Sequence, residues 1–240
     1  MSRRAILHLK RVDPVLAEII TRVGPYRPTH MTGGTHFDAI ARSIVYQQLS
    51  NHAAATIYGR VHGLYGGRAP TPEELLATSD AALRGAGLSR AKTIYLKDLA
   101  ARAIAGTLPL ERLHDMADPE VLEALLAVKG IGRWTAHMFL IFRLGRPDVL
   151  PELDLGVRKA VQLAYRLRTL PTPKQVLARG ASWSPYASAA AWYLWRTLDK
   201  PDGSRIRRPS KKKAAARKKT GAARGTRRRP RTRARHRKST

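Results

Sequence analysis

Asp154, in the stretch LPELDLGVRK, and the glycine pair Gly130 and Gly132, in LLAVKGIGRWT, are the residues whose types and spacing could do chemistry together. The glycines separate an apolar segment, 121–128, from a second one, 134–144. That is the pattern of two short helices joined by a turn that needs positive φ and close backbone approach. With no side chain at either glycine, N–H groups at the start of the second helix can lie directly on a phosphate. Asp154 follows Gly132 by 22 residues and stands just before the helical run Leu155-Gly-Val-Arg-Lys. Asp is a favoured helix cap, so capping alone accounts for it on spacing. Capping and catalysis are compatible, because a helix N-terminus stabilises a carboxylate. An ionised acid beside a flipped nucleotide would stabilise an oxocarbenium-like sugar as its base departs. At about 4 Å and an effective dielectric of ~20 that pair is worth roughly 4 kcal/mol, or about three decades in rate. Glu152, two residues earlier, is the rival acid, with no helix N-terminus to serve.

The aromatic residues Tyr46, Trp134, Trp183, Tyr186, Trp192, Tyr193 and Trp195 come next, since an extruded base needs π faces to receive it. At helical spacing Trp192, Tyr193 and Trp195 read as core. Trp134 and Trp183 sit at helix entrances, where a side chain can line a cleft. The adjacent amides Gln47 and Gln48 close a helix; on the residues alone they read as surface, the alternative being insertion into the gap a flipped nucleotide leaves.

Helices must position these groups, for strand signals are scarce and 3.6-residue periodicity is common, which predicts an all-α body. Starts are marked by Asp13-Pro14, His36, Asn51, Thr71-Pro-Glu-Glu, Ser79-Asp80, Ser89, Asp118-Pro119, Asp154, Pro173 and Ser184-Pro185. The hairpin occupies about 118–144, and 155–167 is expected as one helix.

The chain has 240 residues, no cysteine and a net charge of +28. Of that charge +17 lies in residues 201–240, where 18 Lys or Arg meet a single acid, leaving +11 for residues 1–200. A polyanion, most commonly nucleic acid, is the partner this implies. The division expected is a body at 1–200 and a disordered Lys/Arg-rich tail at 201–240, either a non-specific phosphate tether or simply a solubilising polycation. Lack of cysteine excludes disulfides, thiolate zinc and iron–sulfur clusters. The eight histidines form no HxH or HExxH spacing, so a metal held by side chains is not expected. There is no signal-peptide pattern and no membrane-length apolar run, so the chain reads as cytoplasmic, nucleoid-associated if bacterial.

Taken in order, SIVYQQLSNHAA (43–54), AGLSRAKTIYL (86–96), GIGRWTA (130–136), LPELDLGVRK (150–159) and WSPYASAAAWYLW (183–195) resemble the helix–hairpin–helix DNA glycosylases, in their alkylpurine (3-methyladenine type II) branch. The resemblance covers roughly residues 30–198. It implies an all-α, two-lobed glycosylase fold around a central cleft, one lobe holding the hairpin and the other combining the N-terminal helices with the last one, with Asp154 as the catalytic aspartate. Lys129, Gly130, Ile131, Gly132 and Arg133 become the phosphate-binding hairpin, which in the family often also holds a structural monovalent cation on its backbone. Gln48 is the wedge, and Trp134, Trp183, Met138 and Tyr46 border the base pocket. Strand-cleaving branches carry a Schiff-base lysine where this chain has Trp134. The implied activity is therefore monofunctional release of alkylated purines from double-stranded DNA, with no cofactor beyond that cation and no obligate protein partner. Rival readings are a related glycosylase for deaminated or mismatched bases and a non-catalytic, damage-sensing DNA binder.

Overall fold

The computed structural model describes residues 2–199; the basic stretch 201–240, expected to be disordered, lies outside the described residues. Twelve α-helices and two short 3₁₀ turns account for the regular structure there, with no strand among the described residues. The helices are α1 (Ser2–Val12), α2 (Pro14–Val23), α3 (His36–Tyr46), α4 (Asn51–Gly63), α5 (Pro72–Ala77) and α6 (Asp80–Gly85). They continue as α7 (Arg90–Ile104), α8 (Asp118–Leu126), α9 (Arg133–Phe142), α10 (Leu155–Ala164), α11 (Pro173–Gly180) and α12 (Ala187–Arg196). No helix among the described residues is long and apolar enough to cross a membrane.

Starts follow cap chemistry. Ser50, Ser79 and Ser89 each accept an N–H from the first turn of the helix they precede. Thr71–Glu74 and Thr172–Gln175 form reciprocal capping boxes with proline in the first turn. Each such cap is typically worth about 1 kcal/mol. Several boundaries differ from the sequence expectation, among them the end of α3, expected at Leu49 but found at Tyr46, which leaves Gln47 and Gln48 in the turn that follows. α1 was not expected: Ala5 and Leu9, one turn apart, are buried on a helix that otherwise shows arginine, lysine and histidine. α10 stops at Ala164 rather than 167, because Arg166 takes a left-handed φ of +52°. α12 starts at Ala187, after a 3₁₀ turn at Ala181–Trp183, rather than at Ser184.

Two hydrophobic cores result. The central one gathers α3 to α9, including Ile40, Ile44, Leu96, Leu99, Val121, Leu125, Ile131 and Leu140. The outer one joins α1 and α2 to α10, α11 and α12 through Leu9, Leu16, Ile20, Val161, Trp183 and Tyr193. The division into a hairpin lobe and a lobe that joins the first two helices to the last ones is the one the resemblance implies. Between them runs a crevice of about 690 Å³, with Tyr26, Ser188 and Trp192 from the outer lobe facing His36, His114 and Phe142 from the central one. The segment from α9 to α10 crosses from one lobe to the other and is pinned along its length. Arg146 donates to the carbonyls of Leu113, His114 and Met116, and Ser188 bonds Arg146 O and Val149 N. Asp148 accepts from Ala187 N and Ser184 Oγ. That pinned crossing delivers Asp154.

Candidate active site

The hairpin supplies an anion grip. α9 opens on Gly132, an N-cap with φ −97° and ψ 168° that no side chain caps, and a Cβ built there meets nothing within 4 Å. The first N–H groups of the helix lack intrahelical partners and carry its positive dipole end, so this open corner suits a phosphate. Positive φ belongs to Gly130 alone, at +81°, where a Cβ would lie 2.2 Å from the Tyr95 ring. Gly132 is extended, and its value is the space it leaves. Ile131 points inward as an anchor, 6% exposed. Lys129 offers no free main-chain donor, because its N–H already donates to Asp98 Oδ2 at 2.9 Å. Its ammonium also lies 3.7 Å from the same carboxylate. Arg133 is exposed, with Nε donating to Glu152 Oε1 at 2.8 Å. Glu152, 4% exposed, is thus a buried partner for the hairpin's arginine rather than a second acid at the site.

Asp154 is the N-cap of α10 and is half-buried. Its Oδ1 accepts Val157 N–H at 2.7 Å and the Trp195 indole N–H at 2.8 Å; its Oδ2 accepts the Trp134 indole N–H at 2.7 Å. The carboxylate is therefore held by a helix N-terminus and by one indole from each side of the molecule, α9 and α12. Gly156 makes this fit: a Cβ there would stand 2.9 Å from Asp154 Oδ1 and 3.1 Å from Trp195 Cδ1. Trp195 packs against both cores and stacks on Phe142, centroids 5.6 Å apart at 28°.

Trp134, Met138 and Phe142 recur every fourth residue of α9, so they share one face. Trp134 is 46% exposed, and Met138 and Phe142 are half-buried. Trp134 and Met138 accordingly stand with Asp154 and Trp195 on one aromatic wall. Trp183 does not. It is 0% exposed within the outer core, with its N–H donating to Asp13 Oδ2 at 2.9 Å, so it has no face to offer a base. Trp195, read from its spacing as core, takes the place at the site that Trp183 was expected to fill. Tyr46 ends α3 half-buried, with the Arg42 guanidinium 4.0 Å over its ring and Tyr58 against it edge-on. Gln48 is exposed in the turn between α3 and α4, at a left-handed φ of +60°. Beside it Gln47 donates to Gly130 O at 2.8 Å, which ties this turn to the hairpin. Among the described residues no group of three His, Asp or Glu side chains could hold a metal ion.

The arrangement combines an uncapped helix start, a carboxylate held between two indoles, and an exposed glutamine at a left-handed backbone position in a turn that Gln47 ties to the hairpin. Residues 41–185 match the family described as "HhH-GPD superfamily base excision DNA repair protein". DNA-3-methyladenine glycosylase 1 of Schizosaccharomyces pombe is 36% identical over 211 residues, covering 87% of this chain and 92% of that protein. DNA-3-methyladenine glycosylase 2 of Escherichia coli is 30% identical over 187 residues, 73% of this chain and 63% of that one. Among solved structures, the S. pombe 3-methyladenine DNA glycosylase in complex with abasic DNA superposes with a TM-score of 0.74 at 35% identity, covering 84% of this chain and all of that one. A DNA-3-methyladenine glycosidase from Bacillus halodurans gives 0.73 at 37%, covering 79% and 86%. The chain therefore belongs to the HhH-GPD superfamily of base excision DNA repair proteins.

Proposed function

We propose that this protein hydrolyses the N-glycosidic bond of alkylated purines in double-stranded DNA, leaving an abasic site for base excision repair. The observation that carries this reading is the Asp154 carboxylate, capping α10 between the indoles of Trp134 and Trp195. A purine alkylated at N3 or N7 is already cationic and leaves as a neutral base. The bond from C1′ breaks with its electron pair going to the base, a water oxygen bonds to C1′, and the water's proton passes to solvent. Little acid catalysis is needed. The protein's share is to hold the extruded nucleotide and stabilise the charge that develops on the sugar. Asp154 supplies the opposing charge, and Trp134, Met138 and Trp195 supply the wall for the base. The open start of α9 with Arg133 holds the phosphate, and Gln48 enters the vacated stack.

Strand cleavage by this family's other branches needs a lysine amine where this chain has Trp134. An indole N–H carries no nucleophilic lone pair, so water is the nucleophile and the strand stays intact. The S. pombe relative was solved with abasic DNA, the kind of product this reaction leaves. A monovalent cation at the hairpin would be held by main-chain carbonyls such as those of Val128 and Gly130. These accept from Ile131 N and Gln47 Nε2 and keep a second lone pair each, a donor set suited to such an ion. Bound there, it would offset phosphate charge.

Single-turnover base release from duplexes with one 7-methylguanine, one 3-methyladenine, one hypoxanthine or one mismatch tests the reading. Release is expected from the methylated purines, slowed about a thousandfold in Asp154→Asn, with no strand nicking. If the wild type releases no base from any duplex and both proteins bind equally, this is a DNA binder and the reading fails.

A further inference from the structure

The turn that carries Gln48 is clamped from beneath. α3 ends at Tyr46, and the last carbonyls of a helix lack N–H partners and bear its negative dipole end. Here Lys92, in the first turn of α7, donates from Nζ to Val45 O at 2.7 Å and to Gln47 O at 2.8 Å. Burial pushes the Lys92 ammonium below the usual lysine range. Among the described residues no carboxylate pairs with it; the ammonium is spent on two main-chain oxygens either side of Tyr46. Immediately beyond, Gln48 stands at φ +60°. A non-glycine residue persists there only when its surroundings over-determine it.

The same face of α7 also holds the hairpin. Tyr95, three residues after Lys92, lies where a Cβ on Gly130 would stand. Asp98, three further on, accepts Lys129 N–H and also binds Arg102. Gln47 closes the triangle through Gly130 O. One helix thus fixes both the wedge turn and the phosphate grip, with Lys92 in its first turn and Asp98 near its middle.

We propose that Lys92 is a positioning residue for base flipping: by capping the end of α3 it holds the turn that carries Gln48 in its strained form and at a set distance from the hairpin. This rests on the glycosylase reading above. Gln47, through Gly130 O, is the second side of the clamp. Without Lys92 the turn relaxes, so an extrahelical nucleotide loses the amide that keeps its place in the stack filled. The phosphate grip, held by Tyr95 and Asp98, is unaffected.

The test uses full-length wild type, Lys92→Met, Gln47→Ala, Gln48→Ala and both double variants with Gln48→Ala. Two readouts are taken: single-turnover 7-methylguanine release, and fluorescence of 2-aminopurine placed beside the lesion, which reports flipping. Lys92→Met is expected to slow release roughly tenfold to a hundredfold, the scale of a misplaced group, with a smaller flipping signal. Gln47→Ala is expected to do the same more weakly, and affinity for undamaged duplex should stay within about twofold. Both losses are expected to vanish in the Gln48→Ala background, because the effect passes through that side chain. Equal rates for Lys92→Met and wild type, or the same fold-loss with and without Gln48, overturn the proposal while leaving the glycosylase reading intact. If Lys92→Met does not fold, Gln47→Ala decides: it touches only an exposed bond, and an unchanged flipping signal overturns the clamp. Absence of release by wild type fails the glycosylase reading instead.

Discussion

Asp13 and Asp154 are built alike and do opposite things. Each caps a helix, α2 and α10, and each accepts indole N–H donors. Asp13 is 7% exposed and closed in by Trp183 and by the phenol of Tyr165, whose ring lies under the Arg179 guanidinium. Burial, and then the bond to Asp13, raises that phenol well above the usual tyrosine range. Asp154 has the same kind of partners, but the Trp134 side of its cage is exposed, so a nucleotide can reach the carboxylate. Local chemistry is shared; access separates a staple of the outer lobe from the carboxylate proposed to act on the nucleotide.

The replacement Asp→Asn at each position puts that difference under the largest strain. Asn remains a good cap, so helix initiation survives in both. At position 13 an amide Nδ2 turned toward Trp183 would oppose a buried N–H that has nowhere to swing, while the Tyr165 bond loses its charge. We expect a loss of about 2–4 kcal/mol and a melting temperature lower by roughly 5–12 °C for a domain of this size. Base release per folded molecule should be unchanged. At position 154 the exposed Trp134 can rotate its N–H to water, so melting should shift by under about 3 °C while base release collapses. Thermal melting and single-turnover release on the same preparations read both. Similar melting losses at the two sites would dissolve the contrast.

A milder form removes only the donors. Trp195→Phe keeps a ring to stack on Phe142 and deletes the N–H to Asp154 Oδ1. A hydrogen bond to a charged group is worth about 1.5–3 kcal/mol, so base release should slow roughly tenfold to a hundredfold with little change in melting. Trp183→Phe deletes the N–H to Asp13. Its cost should be about 1–3 kcal/mol of stability, with release unaltered. Equal kinetic losses in the two variants would return Trp183 to the site.

That pair also marks where the sequence stopped being legible. Helix starts were readable because caps are local: Asp13-Pro14, Thr71-Pro-Glu-Glu and Asp154 carry their chemistry within four residues. Gly130 was readable for the same reason, whereas the lobe that joins the first helices to the last came from the resemblance, since no local signal pairs them. The two tryptophans were exchanged because depth is not local. Trp183 lies in a 3₁₀ turn, where no period reveals a buried face, and its slot exists because Gly180 has no Cβ against the ring. Trp195 sits in the last turn of an otherwise buried helix, between two cores whose meeting depends on residues far apart in the chain. A signal for it was present in Gly156, a small residue two places after the acid, but only the fold says what fills that space. Lys92 had no signal at all, since its partners are backbone oxygens 45 and 47 residues away.

Gly156→Ala turns that missed signal into the finest test of the comparison. The added methyl would press on Asp154 Oδ1 at 2.9 Å and on the Trp195 ring at 3.1 Å, both side-chain atoms able to give by a few tenths of an ångström. Alanine is also the better helix former, by up to about 1 kcal/mol, so the gain in propensity and the crowding oppose each other in stability. Melting should therefore move by no more than a few degrees in either direction. The geometry of the carboxylate has no such compensation, because the bond from Trp195 to Oδ1 lengthens as the ring is displaced. Base release should fall by about threefold to tenfold, less than in Trp195→Phe. In the Trp195→Phe background, where that bond is already gone, Gly156→Ala should add little. A full multiplicative loss there would mean the methyl acts on Asp154 directly, and the Trp195 side of the cage would then count for less than its 2.8 Å bond implies.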